Sequence, residues 1–88
     1  MEWELSFKSW NRTYKLKAEI IETSKTNEII KVSGKSKFIV LQNDRPFFVS
    51  KGLRHRRWDW QQIEGEKIHI RHFNDDLIAA LENYLRAL

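Results

Sequence analysis

The stretch Asn74-Asp75-Asp76-Leu77-Ile78-Ala79-Ala80-Leu81-Glu82-Asn83-Tyr84-Leu85-Arg86-Ala87-Leu88 changes the period of the chain. Leu77, Leu81, Tyr84, Leu85 and Leu88 recur at the spacing of one helical face. Asn74 reads as an N-cap, Asp75 and Asp76 suit the positive end of a helix, and Phe73 can staple onto Ile78. Glu82, Asn83 and Arg86 fall on the outer face. Before this helix, predicted over 74–88, the apolar residues alternate.

Working back from the helix, alternation of apolar and polar residues predicts a run of strands. Trp3, Leu5 and Phe7 alternate with Glu2, Glu4, Ser6 and Lys8; after a turn at Asn11-Arg12-Thr13, Tyr14, Leu16, Ala18 and Ile20 continue the pattern. Polar residues from Thr23 to Asn27 interrupt it, and the β-branched Ile29, Ile30 and Val32 mark a third strand over 28–33. Ser33-Gly34-Lys35-Ser36 reads as a turn, and Phe38-Ile39-Val40-Leu41 as a strand covered on both faces. A tight turn at Asn43-Asp44-Arg45-Pro46 then predicts a fifth strand, Phe47-Phe48-Val49. Trp58 to Ile63 reads as a sixth strand, Glu64-Gly65-Glu66-Lys67 as a hairpin turn and Ile68 to His72 as a short seventh.

The expected fold is therefore mainly β with one C-terminal α-helix (α+β): a bent antiparallel sheet or partly open barrel of six to seven strands, capped by helix 74–88. This order of elements resembles the pleckstrin-homology-type barrel and, more loosely, the curved-sheet-plus-helix modules that bind single-stranded nucleic acid. The resemblance is one of fold order and carries no site residues.

Eighty-eight residues provide for one domain and a modest core. A composition 41% hydrophobic and 12% aromatic, with four tryptophans, is that of a globular chain. The absence of cysteine excludes disulfides, thiolate chemistry and cysteine-ligated metal. The N-terminus is acidic and alternating, unlike a signal peptide, and no apolar run approaches the ~18–20 residues that span a bilayer. A cytoplasmic protein with no membrane insertion is the expectation.

Sixteen Lys/Arg against twelve Asp/Glu give a net charge of +4, with a marked local concentration. Between Arg45 and Arg57 lie five cations (Arg45, Lys51, Arg54, Arg56, Arg57), His55 and no acid; Trp58 and Trp60 follow. Uncompensated cations repel one another and attract anions, and an exposed indole beside them can stack on a base. Arg45, Lys51, Arg54, His55, Arg56, Arg57 and Trp58 are thus the candidate anion- or nucleic-acid-binding residues. Against this, tryptophans two apart in a small protein are more often core, and the arginines would then form a solvated loop.

Lys8, Lys15, Lys17 and Lys31 occupy the outward parity of their strands, where lysine also guards against edge-to-edge association. His69 and His72 sit on opposite faces of an extended chain, so no metal site is expected. No phosphate-binding glycine loop, nucleophile motif or paired apolar carboxylates occur, and neither an enzyme nor a cofactor is expected. The leading expectation is a non-enzymatic module that binds single-stranded nucleic acid or another polyanion. The alternative is a protein-interaction or oligomerisation domain, pairing its arginines with an acidic protein or forming a homodimer through Ile78, Leu85 and Leu88; anionic lipid headgroups are a third option.

Overall fold

Trp3 and Ala18 face each other across the first strand pair, the largest side chain against the smallest, and the sheet is built outward from such rows. The computed structural model describes residues 1–53, 57–67 and 71–88. Strands β1 (Glu2–Ser9), β2 (Arg12–Thr23), β3 (Glu28–Ser33) and β4 (Phe38–Asn43) are followed by a short helix α1 (Arg45–Ser50), strand β5 (Trp60–Gly65) and helix α2 (Arg71–Arg86). The strands form one open antiparallel sheet in the order β1-β2-β3-β4-β5.

The register explains the inward face. Trp3, Ala18, Val32 and Ile39 lie in one row across four strands, and Ile20, Ile30 and Leu41 in the next. Helix α2 covers this face with Leu77, Leu81 and Leu85, all buried. Two aromatic clamps set its direction. Near its start Phe73 packs against Phe7 (5.7 Å) and Tyr14 (4.9 Å); near its end Tyr84 stacks on Trp3 at 4.2 Å, nearly parallel. The helix therefore runs antiparallel to β1.

Five strands in an open sheet replace the expected six to seven and the partly open barrel. The run Phe47–Val49 is helical because its flanks are helix signals: Pro46 occupies the first turn and Gly52 follows the last. With φ 73°, Gly52 closes a Schellman motif, in which Leu53 N–H donates to Phe48 O (2.8 Å) and Gly52 N–H to Val49 O (3.1 Å). Arg71 and His72, read as the end of a seventh strand, already belong to α2; residues 68–70 lie outside the described residues. Asn74 is consequently inside the helix and is not its N-cap, and Phe73 packs against Phe7 of β1 and Tyr14 of β2.

Two bulges account for apolar side chains on the surface. Ile21 is the extra residue between the pairs Ile20–Ile30 and Glu22–Ile29, and Ile63 the extra one between Val40–Glu64 and Leu41–Gln62. A bulge breaks the alternation, and both isoleucines are about half exposed.

β5 ends where backbone must approach backbone. Gly65 has φ 95°, and a Cβ on it would lie 2.3 Å from the Phe38 carbonyl oxygen. Gly65→Ala should therefore destabilise the domain by at least about 1 kcal/mol, because both the dihedral and the contact exclude a side chain. Urea denaturation with an unchanged m-value and a lowered midpoint is the expected result.

Candidate anion-binding surface

A buried acid anchors the beginning of the basic segment. Glu28 shares the inward parity of Ile30 and Val32 and is fully buried. One of its carboxylate oxygens accepts from Asn43 Nδ2 at 3.1 Å and the other from Arg45 Nη1 at 2.8 Å. Asn43 Oδ1 in turn accepts the Arg45 backbone N–H at 2.9 Å, at the entry to α1. Arg45 is thus neutralised inside the fold. A carboxylate at an inward strand position is the signal in the sequence that a cation must come to meet it.

Trp58 is 6% exposed, in the coil before β5. Its ring lies beneath the guanidinium of Arg86, 4.4 Å from the ring centre, and more distantly that of Arg45, at 5.9 Å. Neither indole face is open to a base. Trp60 is half-buried and donates from Nε1 to Glu82 Oε1 at 2.8 Å, while Glu82 also lies 3.7 Å from Arg86. Glu82 therefore works against the sheet and is not confined to an outer helix face. Asp44 holds the same coil, accepting the Asp59 N–H at 2.8 Å.

Of the remaining candidates, Lys51 and Arg57 are exposed, and neither has a carboxylate at ion-pair distance among the described residues. Lys51 projects from the end of α1 beside the half-exposed Phe47 ring, 5.9 Å away. Arg54, His55 and Arg56 lie outside the described residues.

Other lysines divide into paired and unpaired. Lys17 lies 2.6 Å from Glu2; this hydrogen bond holds the Glu2 carboxyl below its ordinary range and raises the Lys17 ammonium. Lys37 pairs with Glu66 at 3.1 Å, and Lys31 lies over the Phe38 ring. Lys8, Arg12, Lys15 and Lys35 are exposed without such partners among the described residues.

Between the β3–β4 turn and the start of α2 lies an open cavity of about 540 Å³. Leu16, Val32 and Phe73 contribute apolar walls, and Lys35, Lys67 and the Lys37–Glu66 ion pair border it.

The sequence reading passed over Trp10, which is 76% exposed at the tip of the β1–β2 hairpin. Its signal was available: it breaks the inward alternation of Trp3, Leu5 and Phe7 immediately before a turn. His72, considered above as a metal ligand, packs against Trp10 with ring centres 4.7 Å apart. Among the described residues no three His, Asp or Glu side chains converge on a metal position, and no helix is long and apolar enough to cross a membrane. Helix residue Leu85 is 1% exposed and part of the core, so the strip Ile78, Leu85 and Leu88 does not form a continuous outer surface. Compared with known proteins, the chain matches no family model, and no curated protein or solved structure is significantly similar to it.

Proposed function

We propose that this domain is a non-catalytic, cytoplasmic binding module for a polyanion, single-stranded nucleic acid in the first place, with the segment Lys51–Arg57 as one of its contact surfaces. The observation that carries the reading is that Lys51 and Arg57, at the two ends of that segment, are exposed and lack carboxylate partners among the described residues. Contacts here are to phosphate, so affinity depends on salt and little on sequence.

Lys51→Glu combined with Arg57→Glu is expected to weaken binding of a single-stranded oligonucleotide at least ten-fold by fluorescence anisotropy, and to reduce the salt slope by about 0.7 for each lost phosphate contact. Stability should stay within about 0.5 kcal/mol of the parent, since both side chains are on the surface. Undiminished affinity in the doubly reversed protein would contradict this placement.

A second reading is favoured by the lysine-bordered cavity. Apolar walls beneath Lys35 and Lys67 suit an amphipathic anion, such as a lipid with an acidic headgroup. Co-sedimentation with vesicles containing phosphatidylserine, but not with purely zwitterionic ones, is the result that would support it.

A further inference from the structure

The β1–β2 hairpin carries a tryptophan where glycine would be less strained. Ser9 pairs with Arg12, so Trp10 and Asn11 alone form the turn. Trp10 has φ 57°, in the left-handed region that two-residue hairpins require at a central position and usually fill with Gly, Asn or Asp. A bulky aromatic residue there is an outlier, held against its own backbone preference. The ring is not kept for the core, because 76% of the residue is exposed. Its one ring partner among the described residues is His72, inclined at 47° and itself exposed on α2. The fold thus braces an indole outward on an imidazole.

The surroundings are cationic. From Leu5 to Leu16 the chain contains Lys8, Arg12 and Lys15 and no carboxylate. Lys8 and Arg12 flank the tip and are exposed; Arg71, also exposed, adjoins His72. On the helix side Asp75 and Asp76, three and four residues after His72, share its face of α2, so the positive charge beside the ring comes from the hairpin and from Arg71. An open π-surface with Arg12 and Arg71 nearby, neither ion-paired among the described residues, matches a ligand that combines planar rings with negative charge.

We propose that the hairpin tip is a stacking site for an unpaired base of single-stranded nucleic acid, with Trp10 as the platform, His72 as its brace, and Arg12 and Arg71 meeting the adjacent phosphates. This rests on the polyanion reading above and commits it to nucleic acid. His72 and Glu82 are ten residues apart on α2, so the tip and the Trp58–Trp60 segment are separated by roughly 15 Å along the helix, the span of a few nucleotides. A bound strand can reach from one to the other.

Trp10→Gly separates this role from a structural one, because glycine relieves the dihedral. The variant is expected to have an equal or higher urea midpoint. Its affinity for a single-stranded oligonucleotide should fall by between about five-fold and about 150-fold, the loss of one stacked base. Its affinity for inorganic polyphosphate, which has charge but no rings, should not change, and the tryptophan quenching by oligonucleotide should be lost. Unchanged oligonucleotide affinity would overturn the stacking site and leave the polyanion reading standing. An equal loss toward polyphosphate would overturn it as well, since the effect would then be on charge. Failure of the parent protein to bind either polymer would defeat both readings. If Trp10→Gly instead left binding intact and dissolved a dimer in sedimentation velocity, the tip would be a contact with a second copy and the proposal would fail.

Discussion

Arg45→Met should cost the domain about 3–5 kcal/mol, because it strands a buried carboxylate. Glu28 is 1% exposed and depends on two partners, Arg45 at 2.8 Å and Asn43 at 3.1 Å. Without the guanidinium, only the Asn43 amide remains, and it is neutral. Domains of this size are held by a net of about 5–15 kcal/mol, so the loss is a large share of the total. Removing the acid is expected to be milder. In Glu28→Gln the orphaned Arg45 side chain, 21% exposed, can turn toward water, whereas the carboxylate in Arg45→Met cannot. The double variant Glu28→Leu with Arg45→Met should recover most of the loss, since a well-packed apolar pair can replace a buried ion pair. Urea denaturation of the parent, Arg45→Met, Glu28→Leu and the double variant forms a double-mutant cycle; a cost below about 1 kcal/mol for Arg45→Met would show that the pair does not anchor α1.

Leu81→Ala should cost about 2–5 kcal/mol. Leu81 is wholly buried at the centre of the α2 stripe, between Leu77 and Leu85, where the helix meets the sheet. The Trp3–Tyr84 and Tyr14–Phe73 contacts hold the helix at both ends, so the sheet and helix can close only partly over the vacated space. Leu88→Ala is the control. That leucine is beyond the helix and 56% exposed, and its truncation should change stability by no more than about 0.5 kcal/mol. Comparable losses in both variants would mean that the buried stripe is wrongly assigned.

How far the sequence could be read depended on how local the determinants are. Alternation located β1 and β2 because each has one inward face, and a slip of one residue would reverse it; β3 showed in its β-branched residues, and β4 in a short apolar run bounded by turns, where adjacent Val40 and Leu41 are both buried. The α2 stripe was legible for the same reason, with helical spacing. Its start was not: Asn74 and the two aspartates imitate a cap, but Arg71, His72 and Phe73 are already helical, and Phe73 packs against Phe7 and Tyr14. The six-residue α1 is too short to show a period, and its β-like Phe47-Phe48-Val49 outweighed the Pro46 and Gly52 at its ends. Bulges at Ile21 and Ile63 leave no mark in an apolar pattern.

The basic cluster was visible as composition, but its internal division was not. Arg45 is turned inward by Glu28, seventeen residues earlier in the chain, and Trp58 is covered by Arg86 near the C-terminus. Contacts at such separations depend on strand order, which composition does not encode. For Trp10 the sequence shows only a break in alternation before a turn; the positive φ and the exposure that single it out are consequences of hairpin geometry.

The most direct test of the central claim is fluorescence anisotropy of a labelled single-stranded oligonucleotide titrated with the intact protein at two salt concentrations. For binding through about four phosphate contacts, affinity should fall roughly 50-fold between about 50 and about 200 mM salt. No binding at the lower concentration, or binding that is indifferent to salt, would contradict the assignment of this domain as a polyanion-binding module.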